Sequence, residues 1–146
     1  MPRKSLLSAA LMLVVALGVA GLSIAADEES ELGKKMTAIQ AKTNAIRKAT
    51  RTLPAWKKDQ ASVVEAAEKI AELGKEARKE KGPSEAQKKS YDEWTKLMDD
   101  MVKSCDNLTT LAKKSDTTQA QAKDAFNSLN KTCSACHSVF KVDDEK

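Results

Sequence analysis

Histidine occurs once in this chain, at position 137, and aromatic side chains occur only five times, as Trp56, Tyr91, Trp94, Phe126 and Phe140. With so few rings, and with alanine dominating the apolar positions, a chain of this length has a thin core, because alanine buries little area per side chain. A large, flat, apolar cofactor would fill that deficit. Glycine (5) and proline (3) are scarce and strand-like alternation is almost absent, which argues against a β-rich fold and for helix nearly throughout. Lysine and arginine never form a block of five; they mix with acids, as Lys75, Arg78 and Lys79 do among Glu72, Glu76 and Glu80. Such mixing marks the solvated faces of helices, and nothing in it argues for nucleic acid.

What is present begins with a leader. Arg3 and Lys4 precede an uncharged apolar run from Leu6 to Ala20, then Ser23 and Ala25 stand at the two small positions of a cleavage site, followed by Asp27, Glu28 and Glu29. That order predicts a secretory signal peptide over residues 1–25, cleaved to leave one domain over residues 26–146 that is not stably inserted in a membrane. A retained anchor is the rival reading, since Leu6 to Ala26 could just span a bilayer. No cysteine near the cleavage site supports a lipid anchor. Cleavage leaves 23 Lys and Arg against 21 Asp and Glu, a formal charge of +2.

Apolar spacing predicts four helices. The first covers about residues 29–50, with Leu32, Met36, Ile39, Thr43 and Ile46 on one face, and stops before Pro54. The second starts near Asp59 as N-cap, buries Val63, Ala66, Ala67, Ile70, Leu73 and Ala77, and ends at Gly82-Pro83. Ser84 and Gln87 form a capping-box pattern that opens the third, whose stripe is Tyr91, Trp94, Met98, Met101, Cys105, Leu108 and Ala112. Asp116 caps the fourth, which carries Ala122, Phe126, Leu129, Cys133, Cys136 and Phe140 inward. Short connections make neighbours antiparallel, so the expected fold is all-α, an up-down-up-down four-helix bundle. A three-helix core with the first helix docked separately is the alternative.

Cys133-Ser134-Ala135-Cys136-His137 is the attachment pattern of c-type haem. Two thiols three apart on one helical turn can each add to a vinyl group of the porphyrin, and the next residue can put an imidazole nitrogen on the iron. A redox dithiol is the first rival, but such motifs sit at a helix start where the thiolate is stabilised, and this one lies near a helix end. A zinc site would lack a fourth ligand, since only Cys105 remains. A purely structural role is the third. Cys105 reads as a small buried residue, or as a thiol pairing between chains. Export supports haem attachment, which takes place outside the cytoplasm. Two propionates would bring the mature charge near zero.

In the expected bundle the end of the last helix shares a layer with the start of the first. Met36 stands about seven residues into that helix, roughly 10 Å along its axis, whereas Met98 and Met101 fall about 20–25 Å into a helix that starts at Ser84. Met36 is therefore the expected second axial ligand, with gap-filling in the core as its plain alternative. The same layer predicts haem walls from Ile39, Ile70, Leu73, Tyr91, Trp94, Val139 and Phe140. Arg47 could pair with a propionate, though solvation at the surface accounts for it as well.

The C-terminal position of Cys133-Ser134-Ala135-Cys136-His137, with a leader and four helices, resembles the class II cytochromes c, the cytochrome c-prime family. That resemblance implies a four-helix bundle with one covalent haem, five-coordinate and gas-binding in some members, low-spin with a first-helix methionine in others. The segment Glu31 to Ile39 also resembles the first helix of the periplasmic b-type four-helix cytochrome, whose methionine and C-terminal histidine ligate haem. Carried over, Cys133 and Cys136 are attachment points and His137 and Met36 the iron ligands. The arginine common after the motif's aromatic is missing, since Lys141 follows Phe140.

The expectation is a periplasmic electron carrier, not an enzyme, working with redox partner proteins as a monomer or homodimer. Methionine opposite histidine raises the potential and leaves no open site. The alternative is a haem protein that binds a small gas such as NO or CO as sensor or scavenger.

Overall fold

The computed structural model describes residues 30–140, so the expected leader over residues 1–25 lies outside the described residues. Five helices follow in order: α1 (Glu31–Ala49), α2 (Leu53–Ala77), α3 (Gly82–Ala86), α4 (Tyr91–Ala112) and α5 (Gln119–Phe140). The four long ones form the expected all-α bundle, with α3 as an elbow between α2 and α4. No helix among the described residues is long and apolar enough to cross a membrane.

Each long helix starts at a side-chain cap, although not always the expected one. Ser30 accepts from Gly33 N at 3.0 Å to open α1. Thr52 opens α2 by accepting from Ala55 N, with Pro54 in its first turn. Pro54 thus sits in the first turn of a helix that begins at Leu53, six residues before Asp59, because a ring without an N–H costs nothing where that N–H has no intrahelical partner. Ser84 is no cap either: its hydroxyl donates to Lys81 O, and the run it was expected to open closes within α3. There Lys89 N donates to Ser84 O and Lys88 N to Glu85 O, a Schellman pattern whose left-handed position is taken by Lys88 at φ 52°. Ser90 then caps α4. Thr118, not Asp116, opens α5, by a reciprocal box in which Thr118 Oγ1 accepts from Gln121 N and Gln121 Oε1 accepts from Thr118 N.

Two buried tryptophans pin the ends of the bundle. Trp56 Nε1 donates to Thr117 O at 3.0 Å, joining α2 to the turn before α5, and Trp94 Nε1 donates to Ala77 O at 3.1 Å, joining α4 to the end of α2. Tyr91 Oη donates to Arg78 O and closes the elbow. Packing is continuous from α1 to α2, α2 to α4 and α4 to α5, whereas α1 and α5 barely touch. Three seams of the bundle are closed and the fourth is open.

Candidate haem site

The open seam holds a cavity of about 810 Å³, within the usual size of cofactor pockets. From α5 it is lined by Asn130, Cys133, Ser134, Cys136, His137 and Phe140. From α1 come Met36, Ile39, Gln40, Thr43 and Arg47, and from α4 Trp94, Met98 and Met101. Pro83 of the elbow reaches the same cavity. Residues 101 positions apart in sequence, Met36 and His137, therefore share one space.

The α5 geometry follows from helix period. Cys133 and Cys136 lie one turn apart, Cys136 buried and Cys133 half-buried, with Leu129 and Phe140 continuing the buried side. Asn130, Ser134 and His137 follow at spacings of four and three on the neighbouring, more open strip, and His137 is exposed. Phe140 packs edge-on against Trp94, centroids 5.3 Å apart, which fixes the last turn of α5 to α4. None of the three cysteines is paired in a disulfide. Side chains three apart on a helix keep their Cβ atoms about 5–6 Å apart, wider than the roughly 3.8 Å of a disulfide, so an intact α5 holds the pair open. Burial pushes the Cys133 thiol up and the Cys136 thiol up to about 11. Among the described residues no three His, Cys, Asp or Glu side chains gather as ligands of a metal ion.

Of the residues expected at the site, Met36, Ile39, Trp94, Cys133, Cys136, His137 and Phe140 meet at the cavity. Ile70, Leu73 and Tyr91 are not in its lining. The first two lie on the buried face of α2, whose inner side meets α1 and α4 rather than α5, and Tyr91 turns its hydroxyl to Arg78 O. Val139 is partly buried against the core. Met98 and Met101 were expected in the middle of the bundle, but α4 begins at Tyr91 rather than Ser84, so both sit within the first three turns and floor the cavity. Of the polar wall of α1, Met36, Thr43 and Arg47 are at expected places and Gln40 is the addition; its signal is the spacing of four, three and four through Met36, Gln40, Thr43 and Arg47, beside the apolar stripe of Ile39 and Ile46.

The cavity suits an amphipathic macrocycle. Trp94, Met98, Met101 and Phe140 give an apolar floor, while Gln40, Arg47 and Asn130 give donors for carboxylates. Two thiols and an imidazole sit on one side with a thioether across from them. A helical bundle with this motif on its last helix, opening on such a cavity, defines a haem-binding c-type cytochrome. Comparison with protein families matches residues 30–141 to the family described as Cytochrome C'. The chain belongs to the cytochrome c' family. No curated protein and no solved structure matches it.

Proposed function

We propose that this protein is an exported single-electron carrier that would hold one haem through Cys133 and Cys136, with His137 and Met36 as the residues that would ligate its iron. The observation that carries the reading is the presence of Met36 on the wall of the same cavity as the Cys133 to His137 turn, across the open seam. Met98 and Met101 are the competing thioethers. They are buried in the α4 floor at 1% and 3% exposure, whereas Met36 is half-buried on the wall facing the histidine's strip. When bound, the haem iron supplies a one-electron couple whose potential a thioether ligand raises.

The chain's residues have simpler tasks. Cys133 and Cys136 anchor the ring edge to α5, and His137 follows them so that its imidazole is held by the same turn. Ile39, Trp94 and Phe140 exclude water from the ring faces. Gln40, Arg47 and Asn130 are positioned to receive propionates. The leader over residues 1–25 supports export to the periplasm, where attachment and redox partners are found.

Met36→Ala tests the assignment. The ferric spectrum of the haem-loaded variant should change from low-spin to high-spin, and its reduced form should bind carbon monoxide where the parent does not. An unchanged ferric spectrum removes Met36 as ligand. Rapid stoichiometric carbon monoxide binding by the parent would favour the gas-binding alternative.

A further inference from the structure

Charge is distributed unevenly along the chain, and one stretch of the α1–α2 hairpin carries cations and no acids. Residues 32–58 hold eight of the 25 Lys and Arg side chains and none of the 21 Asp and Glu. That stretch is formally +8, and the remainder, with 17 cations against 21 acids, is −4. Elsewhere cations find acids, as Lys69 does with Glu72, Arg78 with Asp99 and Lys113 with Glu68. Within the basic stretch Lys34 pairs with Glu31 and Lys35 with Glu80. Lys42, Lys48, Arg51, Lys57 and Lys58 are exposed and have no ion pair among the described residues.

The position of this charge matters as much as its size. Helix α1 is one lip of the open seam, and Arg47, from the middle of the basic stretch, lines the cavity itself. A field that runs along α1, one lip of that cavity, draws an anionic body towards the open seam, and steering of this kind raises association rates by about 10–1,000-fold. We propose that α1 and the turn that joins it to α2 form a cationic dock for an acidic electron-transfer protein. This rests on the electron-carrier reading above. The partner supplies acids for the cations of this stretch that have no ion pair. A lipid surface fits less well, because the apolar face of α1, with Ile39, Ile46 and Ala49, is spent in the core. Among the described residues, Leu53, at 52% exposure, is the one large apolar side chain left outside.

The test uses the full haem-loaded chain in its ferrous form, giving one electron to hexacyanoferrate(III), a trianion, or to tris(phenanthroline)cobalt(III), a trication. Rates are read by stopped flow at ionic strengths of about 0.01 M and about 1 M, where the screening length falls from about 30 Å to about 3 Å. The variant K48E/R51E/K58E leaves the cavity lining intact, and its helical circular dichroism and Soret band check its fold. At low salt it should lose about tenfold in rate with the anion and gain with the cation, and both differences should vanish at high salt. Poly-L-glutamate should slow the parent's reaction with the anion but not the variant's. Equal rates for parent and variant at low salt overturn the dock. Sedimentation with phosphatidylglycerol vesicles that is abolished by Leu53→Asp would assign the surface to lipid and overturn it too. A chain without a Soret band would defeat the electron-carrier reading itself, an outcome distinct from unchanged rates in a coloured protein.

Discussion

Gly74 sits on the buried side of α2 where that helix meets α4, and it offers a quantitative test of how the cavity floor is supported. A Cβ placed there would lie 2.6 Å from Met101 Cε and 3.2 Å from Val102 Cγ2. Alanine should gain about 0.8–1.0 kcal/mol over glycine in a helix interior, while overpacking a core costs about 1–3 kcal/mol. The Met101 methyl ends a flexible chain at the cavity wall and can move; Val102 is branched at Cβ and yields only a few tenths of an ångström. Gly74→Ala is therefore expected to destabilise the parent by about 0–2 kcal/mol. In a Met101→Ala background the closer contact is gone, and the same change should become neutral or stabilising by up to about 1 kcal/mol. Urea denaturation of the four haem-loaded proteins closes the double-mutant cycle. A coupling below about 0.5 kcal/mol would refute the argument, since independent sites add to within that margin.

Three further outcomes follow from the caps and the spare thiol. Lys88 holds a left-handed position that costs a side chain about 1–2 kcal/mol, so Lys88→Gly should raise unfolding stability by about 0.5–1 kcal/mol after glycine's own entropy cost; a loss in denaturant titration would show the position to be unstrained. Thr118→Ala removes half of the reciprocal box opening α5 and should cost about 1 kcal/mol, checked by the same titration. Burial pushes the Cys105 thiol up to about 12, above its ordinary value of 9.0, so folding favours the protonated form. Stability from this group is complete below about pH 9 and is lost as the pH rises towards 12, and Cys105→Val should flatten the fall in thermal midpoint across that window.

The sequence told most about the features fixed by local chemistry. Helix content, the bundle and the Cys133 to His137 turn depend on propensity, on period and on a spacing of three, all of which survive any arrangement of neighbours. Boundaries were harder, because one residue type can serve two purposes. Pro54 could end α1 or begin α2, and Thr52 decided it by accepting from Ala55 N. Ser84 and Gln87 match a capping box, yet the Lys88 turn intervenes and the long helix waits for Ser90. That six-residue delay, from cap to cap, moved Met98 and Met101 from the middle of the bundle to the cavity. Ile70 and Leu73 were correctly read as buried but not as distant from α5, because periodicity gives the buried face of a helix and not which neighbour it meets.

The first and last helices of the chain face each other across the seam that packing leaves unfilled. A bond from each lip to one central atom would knot the polypeptide into a ring of about 100 residues, and in the chain-entropy view a closure of that length is worth about 4.7 kcal/mol when it is covalent. Coordination by Met36 would thus act as a reversible staple. Any reagent that competes for its sulfur's place would loosen the tertiary structure as well as recolour the protein, so spectroscopic and calorimetric titrations should trace the same curve.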